Sequence, residues 1–345
     1  MAPRRRTIAG LAGAAGLAAA GVLAQRRLLH AIAADPERER LNRPLGGERI
    51  PVRAADGTEL HVEAFGPAEA PKLVLVHGWM CALRFWRYQI DELAGEFRVI
   101  AYDMRGHARS GAAEDYSFGA FAGDLDAVLD AVLAEGERAL VAGHSMGAMT
   151  IAAWAGEHPA EVPRRLSGAM LLNTGLGDLI TESVVLRAPA RLEGLQDPLG
   201  RLVMTAELPL PAAPSPIGDA AVRYIAMSPG ASPARVAFCR EMVLSCNPRV
   251  RGACGHTMSR MDLWSALESL DVPTIVLAGE VDKLTPPSLS HRLAHTLPNL
   301  HSFVELPGVG HMGAIEAPER VNSHLRDLAS STSATQAVRR EPTPV

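Results

Sequence analysis

Residues Gly143-His144-Ser145-Met146-Gly147 constrain the fold more than any other stretch of this chain. The apolar run Ala139–Ala142 before them predicts a strand, and the run from Met146 to about Gly156 predicts a helix. A chain that passes from strand to helix in so few residues must turn sharply, with Ser145 at the apex. Glycine is required at both ends of the turn because backbone and neighbouring elements come too close for a Cβ. The turn lifts the Ser145 hydroxyl off the sheet edge, and the helix dipole behind it favours negative charge. In this setting G-x-S-x-G is a nucleophile elbow.

The rest of the chain supplies the sheet that such an elbow needs. Short β-like runs alternate with helical ones, which predicts an α/β fold with a mainly parallel sheet and helices on both faces. Ile50–Arg53 and Leu60–Phe65 flank the hairpin signal Asp56-Gly57. Leu73–Val76 and Arg98–Tyr102 are compact apolar runs of the kind buried in parallel sheets. Phe118, Phe121, Leu125, Leu129 and Val132 recur at helical spacing. Ala169–Leu172, Thr274–Ala278 and Ser302–Leu306 predict further strands, with helices from about Pro287 to Thr296 and after His311. From about 176 to 267 this rhythm breaks into proline-punctuated amphipathic fragments, which predicts a helical lid inserted between two strands.

The ends differ from the body, which spans about 48–329. Arg4, Arg5 and Arg6 precede an uncharged run from Thr7 to Ala24, closed by Arg26 and Arg27. Residues 1–27 are expected to be a signal peptide or a membrane anchor, with an Ala-rich surface helix as the third reading. Membrane association would then run through residues 7–24, and the protein would be exported or membrane-associated; a cytoplasmic location is the alternative. Residues 28–47 read as a polar connector, and 330–345, with Pro342 and Pro344, as a disordered tail.

A serine hydroxyl is a weak nucleophile and needs an adjacent base. Of 12 histidines, His311 stands apart: it follows the strand Ser302–Leu306 in the glycine-bearing loop Pro307-Gly308-Val309-Gly310. That loop can return over the sheet edge toward Ser145, unlike His291, His295 or His301. The orienting acid belongs between serine and histidine in chain order. Asp282, directly after strand Thr274–Ala278, is the candidate, with Asp178 as its rival and Glu280 as a loop-structuring carboxylate. An oxyanion needs two backbone N–H donors. Met146, next to the nucleophile, supplies one, and Trp79 in His77-Gly78-Trp79 supplies the other.

Taken together, the elbow, His77-Gly78-Trp79, the segment Asp103-Met104-Arg105-Gly106-His107-Ala108-Arg109-Ser110, the Asp282 loop and Gly310-His311 resemble the lid-containing serine esterases and lipases of α/β-hydrolase fold. The resemblance spans about Ile50 to Leu328. It implies an eight-stranded sheet and an Asp103–Ser110 turn that braces the oxyanion loop. Ala108 stands where that turn usually has glycine, and Ala148 where many members carry a second glycine after the elbow. Epoxide hydrolases and haloalkane dehalogenases share the fold but use aspartate where this chain has Ser145. Epoxide hydrolases also carry two lid tyrosines, whereas the insertion here has only Tyr224.

By this resemblance the expected substrate is a small-molecule carboxylic ester, with a small to medium acyl group or a lipid acyl chain. Perhydrolase or acyltransferase chemistry and C–C bond hydrolysis on the same triad are the alternatives, and a non-catalytic ligand-binding relative is a third. No metal and no organic cofactor are expected: the sequence has no HExxH, no paired CxxC and no GxGxxG after a strand. A net charge of -4 gives no reason to expect a nucleic-acid partner. The four cysteines are too few for a disulfide scaffold, although Cys239, Cys246 and Cys254 could pair in an exported protein.

Overall fold

The computed structural model describes residues 20–187, 194–210 and 213–340. Eight strands form one sheet: β1 Glu48–Arg53, β2 Glu59–Phe65, β3 Lys72–Val76, β4 Arg98–Asp103, β5 Ala139–His144, β6 Leu166–Leu172, β7 Thr274–Gly279 and β8 Leu300–Leu306. Their order is β1-β2-β4-β3-β5-β6-β7-β8. Only β2 runs against the others, pairing antiparallel with β1 and β4, and the remaining pairs are parallel. The β1–β2 turn forms where Asp56-Gly57 predicts it, with Gly57 at φ 89° and Thr58 N–H donating to Asp56 Oδ1 at 3.0 Å.

The apolar strands are two-faced, so their side chains feed two cores. Val74 and Val76 of β3 pack with Phe121, Leu125 and Leu129 of helix Phe118–Val132 and with Ile151 and Trp154 behind the elbow. Leu73 and Leu75 point the other way, toward Trp86, Ile90, Val321, Leu325 and Leu328. Each such side chain taken fully out of water stabilises the fold by about 1.5–3 kcal/mol. Both faces are therefore covered, and reactive groups can emerge only at the strand ends.

Between β6 and β7 the described residues are helical, without a strand: Leu179–Glu182, Gln196–Met204, Pro216–Ala226, Pro233–Ser245, Pro248–Met258 and Trp264–Leu267. The prolines start these helices rather than break them. Pro216, Pro233 and Pro248 each follow a capping residue (Ser215, Ser232 and Asn247) whose side chain accepts a backbone N–H of the first turn.

The flanks differ from the sequence expectation. Residues 28–47 are no loose connector: a helix covers 20–34, and helix Glu37–Asn42 docks on the body. Leu41 is buried, Glu37 accepts from Tyr88 and Arg235, and Arg40 pairs with Asp91 and Glu92. The charges that made this stretch look solvated are spent on partners remote in sequence. Likewise, the last helix runs Pro318–Arg340, past Ser330, because Thr332 extends the buried stripe of Val321, Leu325 and Leu328. Residues 1–19, which carry most of the expected targeting segment, lie outside the described residues, as do 341–345. No helix among the described residues is long and apolar enough to cross a membrane. All four cysteines are free, buried thiols.

Candidate active site

Ser145 sits between β5 and helix Met146–Glu157 at φ 51°, ψ −118°, a left-handed conformation that costs an L-residue energy. The surroundings hold it there. Ser145 N–H donates to Leu172 O on β6 at 3.0 Å, and Thr174 Oγ1 donates to Ser145 O at 3.0 Å. A Cβ on Gly147 would overlap Val76 O, and one on Gly143 would overlap Ala148 N and Gly147 C. The glycines are thus required by the closeness of β3 and of the elbow's own first turn.

Asp282 follows β7, and His311 lies in the loop after β8. His311 Nδ1–H donates to Asp282 Oδ2 at 2.8 Å, and both residues are buried. The carboxylate is also held by Leu284 N–H at 2.9 Å, Thr285 N–H at 3.0 Å, Thr285 Oγ1 at 2.9 Å and Asn173 Nδ2 at 2.9 Å. Burial alone would raise its pKa, but the His311 imidazole and these donors together hold it below the usual carboxylate range. A buried, ionised acid on Nδ1 leaves Nε2 of His311 as the face that can accept a proton. Ser145 and His311 line the same cavity, with no hydrogen bond between their side chains in this structure. Such contacts are often long in unliganded sites and tighten with substrate.

The rival acid does not reach the imidazole. Asp178 is exposed and pairs with Arg292 at 2.8 Å. Glu280 accepts Gly308 N–H at 2.7 Å and so shapes the loop that carries His311. His291 and His301 pair with Glu305 and Asp327, and His295 bonds to His291 O.

Trp79 and Met146 present backbone N–H groups that no other described group takes up, whereas the neighbouring Met80 N–H donates to His107 Nε2 at 3.3 Å. Gly78 lets this loop press on the elbow: a Cβ there would lie 2.8 Å from His144 Nδ1 and 3.1 Å from Ser145 Cβ. The Asp103–Ser110 turn braces the same loop. Asp103 accepts Leu83 N–H at 2.6 Å and Arg109 N–H at 3.2 Å, and burial lifts its pKa to about 6. Ala108 sits at φ 43°, which is why glycine suits that position. Arg105 clamps Asp124 through two bonds of 2.7 Å.

Several contributors escape sequence reasoning. His144 Nε2–H donates to His311 O at 2.8 Å while its ring stacks on Phe85, and burial first, then His311, pushes its pKa to about 3. Asn173 joins Asp282 to Gly310 O, the latter at 3.0 Å. Glu316 ties the insertion to the histidine loop, accepting Ser228 N–H at 2.7 Å and Gly310 N–H at 3.1 Å. Ala226 O, at the end of helix Pro216–Ala226, accepts His311 N–H at 3.0 Å and Met312 N–H at 3.2 Å. Only the x position of G-x-S-x-G marked His144 beforehand; Asn173 and Glu316 lack any local signal.

Above Ser145 and His311 lies a cavity of about 420 Å³. Its walls are overwhelmingly apolar, with Met149, Leu186, Met204, Val222, Val243 and Met258 among them, and much of that lining comes from the insertion. No metal-binding cluster of His, Cys, Asp or Glu occurs among the described residues.

Residues 73–324 match the sequence pattern of the Alpha/beta hydrolase family. The chain is 27% identical over 286 residues to the bifunctional esterase/perhydrolase DCH of Acinetobacter calcoaceticus, covering 79% of this chain and 97% of that protein. It is 26% identical over 276 residues to 3-oxoadipate enol-lactonase 2 of Acinetobacter baylyi, covering 78% and 92%. Among solved structures, a thermophilic esterase from Thermogutta terrifontis superposes with a TM-score of 0.66 at 26% identity, covering 83% of this chain and 99% of that one.

Proposed function

The chain belongs to the alpha/beta hydrolase family and is a hydrolase, and from that premise we propose that it cleaves carboxylic esters through an acyl-enzyme on Ser145. One observation carries this reading: His311, held by Asp282, lines one apolar cavity together with Ser145 and Trp79, and Met146 follows Ser145 directly in the elbow.

In this mechanism His311 Nε2 takes the Ser145 proton as Oγ attacks the ester carbonyl. The tetrahedral oxyanion is held by the N–H groups of Trp79 and Met146. His311 then gives that proton to the leaving alkoxide, and the C–O bond breaks to leave the acyl-enzyme. Water, deprotonated by the same imidazole, attacks the acyl carbonyl; the carboxylic acid leaves and Ser145 regains its proton. Asp282 stays ionised throughout, holding the tautomer and stabilising the imidazolium.

The cavity supports small to medium acyl esters or lipid esters, since its walls offer apolar contact and few polar groups to solvate a charged acyl chain. Residues 176–267 then act as the lid over Ser145. A chromogenic ester panel from acetyl to long-chain acyl, run on wild type and Ser145→Ala with fluorophosphonate labelling alongside, tests the reading. Undiminished hydrolysis by Ser145→Ala would refute it.

The similarity to an esterase/perhydrolase favours one second reading, in which peroxide or an alcohol intercepts the acyl-enzyme. Product analysis with added peroxide or alcohol separates transfer from hydrolysis. Residues 1–27 are proposed to direct export or to anchor the protein at a membrane, which fractionation of the full chain against one lacking 1–24 would test.

A further inference from the structure

Several apolar side chains of the insertion that carries much of the cavity lining face water. On helix Gln196–Met204, Gly200 and Met204 turn inward while Leu202 is 66% exposed. Leu208 is 71% exposed, Ile217 84% and Tyr224 61%. Val203 (64% exposed, next to Leu202), Leu208 and Ile225 (37% exposed, next to Tyr224) also line the cavity, so water-facing apolar surface runs into the cavity wall. Contiguous apolar surface of this kind on a folded chain marks an interaction site.

Two features indicate what covers it. Gln25 Nε2–H, on the helix covering 20–34, donates to Pro214 O at 2.9 Å, which seats that helix beside Ile217 at the rim. The same helix exposes Arg26 and Arg27 together with Val22, Leu23 and Leu29. In sequence it continues the uncharged run Thr7–Ala24 preceded by three arginines. Apolar side chains beside exposed arginines match a surface of hydrocarbon beneath anionic headgroups.

We propose that the rim formed by Leu202, Leu208, Ile217 and Tyr224, with the adjoining helix 20–34, docks on an anionic lipid bilayer, so that acyl esters pass from the bilayer into the Ser145 cavity. The passage of substrate rests on the ester-hydrolase reading; the docking does not.

The test uses full-length Ser145→Ala in flotation with phosphatidylcholine vesicles with and without phosphatidylglycerol. Flotation is expected, stronger with phosphatidylglycerol, and adding Leu202→Glu and Ile217→Glu should lower vesicle partitioning at least about tenfold. In the otherwise wild-type chain, the same two substitutions should leave hydrolysis of a water-soluble acetyl ester unchanged, which also reports an intact fold. Neither residue lines the cavity.

The docking fails if Ser145→Ala does not float, or if the rim variant floats equally well. It fails too if light scattering shows a dimer that the rim variant splits while vesicles go unbound, since a second copy would then be the occupant. Vesicle binding by a chain that hydrolyses no ester would sustain the docking and refute the catalytic reading; soluble-ester hydrolysis without vesicle binding would do the reverse.

Discussion

Asp282 Oδ2 receives the Nδ1–H of His311 at 2.8 Å from across 29 positions of sequence, with the acid's side chain wholly shielded from solvent. That one bond decides which imidazole nitrogen carries the proton and leaves Nε2 as the one that can accept another. Asp282→Asn should therefore keep the fold yet lower kcat by about 10³–10⁴, because an amide N–H opposes Nδ1–H and favours the wrong tautomer. Steady-state kinetics on a soluble ester, beside an unchanged thermal melt, check this. A loss below tenfold would remove Asp282 from the proposed machinery.

Glu316 gives a different signature. Its two oxygens hold Ser228 N–H and Gly310 N–H, so it joins the insertion to the loop of His311. Glu316→Gln turns one acceptor into a donor and leaves one N–H without a partner, costing about 1–3 kcal/mol. The expected result is a lower Tm and a kcat reduced by about tenfold, the latter from a displaced imidazole. Fluorophosphonate labelling of Ser145 should slow in parallel. A drop in Tm with kcat intact would make the contact purely structural.

Ala108 offers a gain. At φ 43° a side chain costs about 1–2 kcal/mol, partly offset by the greater freedom glycine has when unfolded. Ala108→Gly should raise stability by about 0.5 kcal/mol, measured by urea denaturation at constant m-value. Destabilisation would mean that the Ala108 methyl makes compensating contacts.

Acid should weaken the fold through its buried histidines. Burial lowers His107 to about 4 and His144 to about 3, against about 6.5 for an exposed imidazole. Below pH 6.5 the unfolded chain binds protons that the native chain refuses, so stability falls as pH drops, by up to about 1.4 kcal/mol per histidine per pH unit until each native pKa is reached. Asp103, raised to about 6, works in the opposite sense between about pH 4 and 6, as do Asp124 and Glu316, which burial also raises. Buried His77 and the lowered Asp282, by contrast, add to the loss in acid. Melts between pH 7 and 4.5 should show a falling Tm, and His107→Gln should flatten the slope.

The chain sequence alone made the elbow, the alternating strands and the order Ser145, Asp282, His311 legible. These depend on local requirements: glycine where no Cβ fits, apolar runs where both sheet faces are covered, loops after strand ends. Within one helical turn of these motifs, residue type determines geometry. The brace of Asn173, His144 and Glu316 is another matter. Each acts through a partner 88 to 167 positions away, as with Glu316 and Ser228 or His144 and His311, and no local pattern encodes such a meeting. The same holds for 28–47, where charges that read as solvated in sequence find Asp91, Glu92, Tyr88 and Arg235 only after the chain has packed. Which polar groups are left to water and which are spent on one another is decided by tertiary structure, because a buried hydrogen bond needs both partners placed at once.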